Sequence, residues 1–352
     1  MQLKQYAYKA LRKIGRLPFI KLFAFFFVEI CGGYRIYRRL RKKYGMDCVF
    51  LTCQHRGTGD VYNIGSYLST YLTKNRIEKY QFLYRGRSEQ KVGALFNISG
   101  NTILSEREML RLLRFQRFVG SRDVNIIQLH HCTLPDELRF NRMFFEEYYK
   151  GISFVDTFKL VTMGLPFKTK PNRPQFHKLR EIQEIFKKNG LIPGRTVILS
   201  PYSSSAQILN AEMWGELVEK LKARGYTAAT NCAPEIEQPL AGTVGLSIDY
   251  KYLASYLECA GFFVGARSGL CDVINTIPCR KIILTPHWAP NLQWRGTPGK
   301  TMRFYGIWPN YGRNDTVELE YAYDFNRVKL IPDKVTELLD LAENRAHEIK
   351  VS

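Results

Sequence analysis

The sequence predicts an α/β protein of two domains, each built on a mostly parallel sheet. Three observations predict it. From Met46 onward, short apolar runs of strand length alternate with stretches of helical spacing. Pro166, Pro171 and Pro174 fall in and just after Gly164–Arg173 among Lys and Asn, the composition of a linker. The length of 352 residues accommodates two domains.

Composition narrows the function classes. The chain is 45% hydrophobic and 24% charged, which suits a soluble globular protein, and its net charge of +20 implies an anionic partner: phosphate groups, anionic lipid or nucleic acid. Residues 1–45 hold twelve basic side chains and one acid, Glu29, so more than half of the excess lies there. With the charge concentrated in that segment and no RNP, helix-turn-helix or zinc motif present, a nucleic-acid binder is the least favoured class. None of the eight cysteines forms a C-x-x-C pair, which argues against a zinc ribbon or a thioredoxin-type motif. Their place in apolar runs fits a reducing cytoplasm.

Taken in order, the N-terminal segment 1–45 is basic and aromatic. Within Leu17–Tyr34 the uncharged apolar core, Leu22–Val28, is seven residues long. A spanning helix needs about 20, and no small-residue cleavage site marks a signal peptide. The expectation is an interfacial helix on an anionic membrane, at the cytoplasmic face and peripheral; the alternative is a helix packed on the protein's own core. Residues 46–165 read as a first domain, with strands at Asp47–Cys53, Tyr80–Tyr84 and Asn125–Leu129 and helices at Val61–Leu72, Glu106–Val119 and Pro135–Tyr149. Residues 175–330 read as a second. Its helices are Phe176–Asn189, Asn210–Arg224 and Tyr250–Cys259, and its strands are Thr196–Ser200, Thr227–Thr230, Phe262–Gly265 and Arg280–Leu284. Pro286–Arg313, with three tryptophans and many glycines, reads as a long loop. Residues 331–352 close the chain with an amphipathic helix over Asp333–Glu348.

Three segments carry candidate chemistry. In GFFVGARSGLCDVI (Gly261–Ile274) an apolar strand feeds a helix start through Arg267, Ser268 and Gly269. Backbone N–H groups at such a start attract a phosphate or diphosphate, and Arg267 adds a permanent bidentate cation; glycines that merely avoid clashes are the plain reading. In CQHRGTGDVYNIGSYL (Cys53–Leu68), Gly57 and Gly59 permit a tight turn, and Asp60 stands at the next helix start. A carboxylate there serves either as a general base toward a sugar hydroxyl or as a helix cap. His55 and Arg56 share the loop and can meet an acceptor's anionic groups. After Thr196–Ser200 come Ser200, Ser203, Ser204 and Ser205, hydroxyls that can donate to phosphate oxygens or form a polar turn. Glu235, in the loop after Thr227–Thr230, can accept from a ribose hydroxyl, since ligands of open α/β sheets bind at the carboxyl ends of strands.

The order of these segments resembles the heptosyltransferase-like inverting glycosyltransferases (glycosyltransferase family 9-like). Gly57-Thr58-Gly59-Asp60 matches that family's G-x-G-D loop, Pro201–Ser205 with Trp214 loosely matches its second-domain loop and helix start, and Gly265–Asp272 follows the frame of its donor-binding turn. The chain departs from the pattern at two places: Arg267 stands where the family has Asp, and Asp272 where it has His. The resemblance implies a GT-B fold, two facing Rossmann-like domains. No metal-ligand cluster such as D-x-D appears in a suitable context, so the expectation is a metal-independent enzyme without cofactor. Such an enzyme moves a sugar from a nucleotide-diphosphate donor to a glycan or lipid-linked acceptor, in lipopolysaccharide or other cell-surface polysaccharide synthesis. The departures leave room for a GDP- or UDP-sugar in place of ADP-heptose. Asp60 and Arg267 are then catalytic, Ser200, Ser203, Ser204, Glu235, Ser268, Gly269 and Asp272 meet the donor, and His55, Arg56, Gly57 and Gly59 meet the acceptor. Two rivals stand beside this reading: a polysaccharide pyruvyl transferase, with a similar N-terminal turn and phosphoenolpyruvate as donor, and a non-catalytic scaffold for glycan or membrane.

Overall fold

The computed structural model describes residues 23, 26–53, 57–120, 124–129, 153–203, 209–233, 235–286, 306, 307, 311, 317–323 and 325–340. Ten strands make two sheets, both parallel in every pairing. The first holds β1 (Val49–Thr52), β2 (Tyr80–Tyr84), β3 (Thr102–Ile103) and β4 (Ile126–Gln128), in the order β3-β2-β1-β4. The second holds β5 (Thr196–Ser200), β6 (Thr227–Asn231), β7 (Val244–Leu246), β8 (Gly261–Ala266), β9 (Arg280–Pro286) and β10 (Val317–Tyr323), in the order β7-β6-β5-β8-β9-β10. That second order is the doubly wound dinucleotide-binding one, and the strand order reverses between β5 and β8.

Among the described residues, the α-helices of five or more residues are α1 (Cys31–Tyr44), α2 (Thr58–Lys74), α3 (Arg87–Ala94), α4 (Glu106–Val119), α5 (Ile182–Lys188), α6 (Ala211–Ala223), α7 (Leu253–Ala260) and α8 (Gly269–Val273), with a further helix over 331–340. Local chemistry sets several ends. Ser105 and Glu108 form a capping box that opens α4, the hydroxyl accepting from the Glu108 N–H and the carboxylate from the Ser105 N–H. Asn210 caps α6 by accepting from the Met213 N–H.

Alternation along each strand divides the core. Phe50, Leu83 and Ile126 point to one side of the first sheet, against α1 and α4. Leu51, Phe82 and Tyr84 point to the other and join Ile198, Phe263 and Ile283 of the second sheet in one continuous cluster. Val197, Leu199, Val264 and Ile282 face away from the seam, against α6 and the last helix.

Two sequence expectations shift, and a third lies outside the described residues. The helix expected at Phe176–Asn189 forms only over Ile182–Lys188, because the linker backbone is held elsewhere: the His177 N–H donates to the Lys251 carbonyl and the Leu179 N–H to the Ser255 hydroxyl. The expected helix Pro135–Tyr149 lies outside the described residues. The boundary placed at residue 45 cuts through a packed unit, since Ile30, Ile36 and Leu40 are buried with Cys48 and Phe50. The approach of α1 to α4 is so close that a Cβ on Gly33 would sit 2.2 Å from the Arg111 carbonyl oxygen. A chain starting at Met46 is therefore expected not to fold. Each buried Ile or Leu contributes about 1.5–3 kcal/mol, against a total stability of roughly 5–15 kcal/mol. Loss of a cooperative thermal transition in the truncated chain checks this; a wild-type transition would show α1 to be dispensable.

Candidate functional site

The carboxyl ends of β1 and β8 meet across the seam between the domains. The start of α2 follows β1 and the start of α8 follows β8, and the two touch backbone to backbone. A Cβ on Gly269 would lie 2.4 Å from the Gly59 nitrogen and 2.4 Å from Thr58 Oγ1. One on Gly59 would lie 2.5 Å from Asp272 Oδ2. Only glycine fits either position, which is the physical reason for both residues. The α8 start, five residues long, is thus covered by the first domain where Gly269 stands.

Asp60 occupies the first turn of α2 beside this contact. Its carboxylate folds back over Gly57, where a Cβ would come within 2.2 Å of Oδ2. Burial pushes the Asp60 carboxyl up to about 7, the negative charges of Asp272 and Glu89 add to the rise, and Arg267 offsets part of it. A carboxyl that ionises there is matched to accepting a proton from a hydroxyl near neutral pH.

Arg267 and Asp272 form a buried bidentate ion pair, with Nη2 to Oδ1 at 2.7 Å and Nη1 to Oδ2 at 3.0 Å. Arg267 also donates to the Ser268 carbonyl. Burial works against its charge, but Asp272 outweighs that and holds the guanidinium protonated. The two residues that depart from the family pattern thus pair with each other. The pair positions Asp272 against Gly59, one residue from Asp60.

A polar chain continues from Asp272 into the first domain. Tyr311 Oη lies 3.0 Å from Asp272 Oδ1 and 2.7 Å from the Asn63 carboxamide. One phenolic proton cannot serve two acceptors. The carboxylate takes it, and the arrangement that satisfies the phenol oxygen turns the Asn63 NH2 toward it. Asn275 Nδ2 donates to Tyr62 Oη at 3.2 Å. Tyr250 hydrogen-bonds Thr58, and Lys91 pairs with Asp249 at 2.9 Å. Burial raises the Tyr62, Tyr250 and Tyr311 phenols, so all three stay protonated donors.

Of the residues expected to meet a donor, Ser200, Ser203 and Ser268 fall at the β5/β8 reversal. Ser200 ends β5 in register with Gly265 of β8 and is buried. Ser203 donates to the Arg267 carbonyl at 3.2 Å, which brings the loop after β5 against the loop after β8. Ser268 precedes α8 and is partly buried. Glu235 stands apart from this group on an exposed turn after β6. His55, Arg56 and Ser204 lie outside the described residues. Sequence reasoning missed Tyr62, Asn63, Glu89, Asn275 and Tyr311. Tyr62 and Asn63 lie in the same G-D-V-Y-N stretch as Asp60, while Tyr311 belongs to the distant tryptophan-rich sequence Pro286–Arg313 and carried no signal.

No protein-family model and no curated protein matches the chain. Solved structures do. The Escherichia coli ADP-heptose lipopolysaccharide heptosyltransferase II aligns at 13% identity over 84% of this chain and 99% of that one, with a TM-score of 0.50. The dodecameric iron-containing heptosyltransferase TibC of enterotoxigenic E. coli, in complex with ADP-D-β-D-heptose, aligns at 14% identity over 85% of this chain and 76% of that one, with a TM-score of 0.50. The fold is that of the heptosyltransferases, two α/β domains of GT-B type.

Proposed function

We propose that this chain, with the fold of the heptosyltransferases, is a glycosyltransferase. It moves a sugar from a nucleotide-diphosphate donor to a glycan or lipid-linked acceptor in lipopolysaccharide-type synthesis. One observation carries the reading: across the seam from the β5/β8 reversal, where doubly wound sheets bind nucleotides, stands a carboxyl raised to about 7. The donor rests against Pro201–Ser203 and Ser268, and the acceptor against the loop before α2. Asp60 takes the proton of the acceptor hydroxyl as its oxygen attacks the anomeric carbon. The bond from that carbon to the diphosphate breaks, and the nucleoside diphosphate leaves with the electron pair. Arg267 acts here as a positioning residue: it fixes Asp272, whose charge keeps Asp60 basic. The ADP-heptose bound to TibC supports a nucleotide-sugar donor of this general class.

Thermal shift with ADP, GDP and UDP against their nucleosides tests the site. One diphosphate is expected to raise the melting temperature more than its nucleoside does, because occupied native sites stabilise by mass action. If no diphosphate or nucleotide sugar shifts the transition, the β5/β8 crevice is not a nucleotide site.

A further inference from the structure

On the face of the first sheet opposite the seam, α1, α4 and the π-helical segment Phe26–Ile30 before α1 carry a surface the reaction does not use. Phe23, Phe26, Phe27, Val28, Phe118 and Val119 are all exposed, Phe27 by 54% and Phe118 by 61%. They form one patch rather than scattered residues. The Phe23 and Phe27 rings are 4.6 Å apart, and the Phe26 and Phe118 rings, from separate elements, are 5.4 Å apart and edge-on. Contiguous exposed aromatics of this kind mark an interaction site.

The charge around the patch identifies the occupant. The acids of these elements are already matched: Glu29 by Arg111 and Arg114, Glu106 by Arg85, and Glu108 by Arg39. Arg35, Arg38, Lys42, Lys43 and Arg117 have no acidic partner among the described residues, and all are exposed. A second copy of the chain would set positive face against positive face. Exposed phenylalanines next to helices that carry unmatched cations fit a layer that is apolar inside and anionic outside. Among the described residues no helix is long and apolar enough to cross a membrane. We infer that this face, including Phe118 of α4, docks the protein on an anionic lipid bilayer.

The inference goes beyond the transfer reaction and does not require it, so the two fail separately. Full-length protein is co-sedimented with vesicles of phosphatidylcholine alone and of phosphatidylcholine with about one third phosphatidylglycerol. Binding is expected to the anionic vesicles, with partial release in high salt because the aromatic part is not screened. Phe118→Asp, far in sequence from the basic N-terminus, should weaken that binding by about tenfold or more. Its melting temperature and nucleotide-induced thermal shift should stay unchanged, since Phe118 is exposed and across the sheet from the seam. Arg38→Glu/Lys42→Glu should weaken the preference for anionic lipid. Equal vesicle binding by Phe118→Asp would overturn the inference, as would wild-type protein that ignores vesicles. So would a dimer in solution that Phe118→Asp dissociates, which would assign the face to a second copy.

Discussion

Replacing Asp60 with Asn is expected to slow sugar transfer by about 10²–10⁴-fold, the usual cost of losing a general base, and at the same time to stabilise the protein above neutral pH. Both effects come from one carboxyl. In the fold it ionises at about 7, and in the unfolded chain near the ordinary value of 3.8. Below pH 4 the group is protonated in both states and contributes nothing. Between pH 4 and pH 7 the folded state holds a proton that the unfolded state has lost, so stability falls as pH rises. Above pH 7 the ionised carboxylate costs the fold on the order of 4 kcal/mol. Asn escapes that cost, so the variant should melt higher than wild type at pH 8 and close to it at pH 4. Wild-type transfer should rise with pH through about 7, as the base ionises, and then level off. A melting difference independent of pH would place Asp60 in an ordinary carboxylate environment, and unchanged turnover would leave it a helix-start residue only.

Arg267→Ala is expected to destabilise the protein by about 3–5 kcal/mol, because it strands Asp272 as an unmatched buried charge. Asp272 also accepts a hydrogen bond from the Tyr311 hydroxyl and touches Gly59, so the loss should appear at the seam as well as in global melting. Replacing both partners, Arg267→Met with Asp272→Leu, should recover most of the stability, since a buried ion pair often exchanges neutrally for apolar residues. Asp272→Asn removes a charge that raises Asp60 and should move the midpoint of the pH–rate profile downward, whereas Arg267→Ala should move it upward. If Arg267→Ala instead leaves melting intact and weakens nucleoside diphosphate binding alone, the guanidinium contacts the donor and not Asp272.

Much of the architecture could be read in advance where local chemistry decides it. Glu106–Val119 forms as expected because Ser105 and Glu108 cap it and its apolar spacing is regular. Thr196–Ser200 forms as a five-residue buried run. Elements whose existence depends on neighbours were not legible. Val317–Tyr323 carries two glutamates and becomes a strand only by pairing with β9, and Val244–Leu246 is three residues held by β6. At the site, the sequence singled out Asp60, Arg267 and Asp272 as separate candidates with no contact between them. Their mutual arrangement was invisible, because five residues separate Arg267 from its partner around a turn, and Asp60 is brought near them by the contact of Gly59 with Gly269. Tyr311, 248 residues from Asn63, is the extreme case of a contact made by tertiary packing alone.

Release of nucleoside diphosphate tests the central claim most directly. Full-length protein is incubated with ADP-, GDP- and UDP-sugars, with and without glycan acceptor, beside a parallel series with phosphoenolpyruvate, for wild type and Asp60→Asn. One nucleotide sugar is expected to be consumed with equimolar nucleoside diphosphate release, faster with acceptor present, and Asp60→Asn should abolish that acceleration. Consumption of phosphoenolpyruvate with release of phosphate, or acceptor-stimulated turnover undiminished in Asp60→Asn, would contradict the central claim.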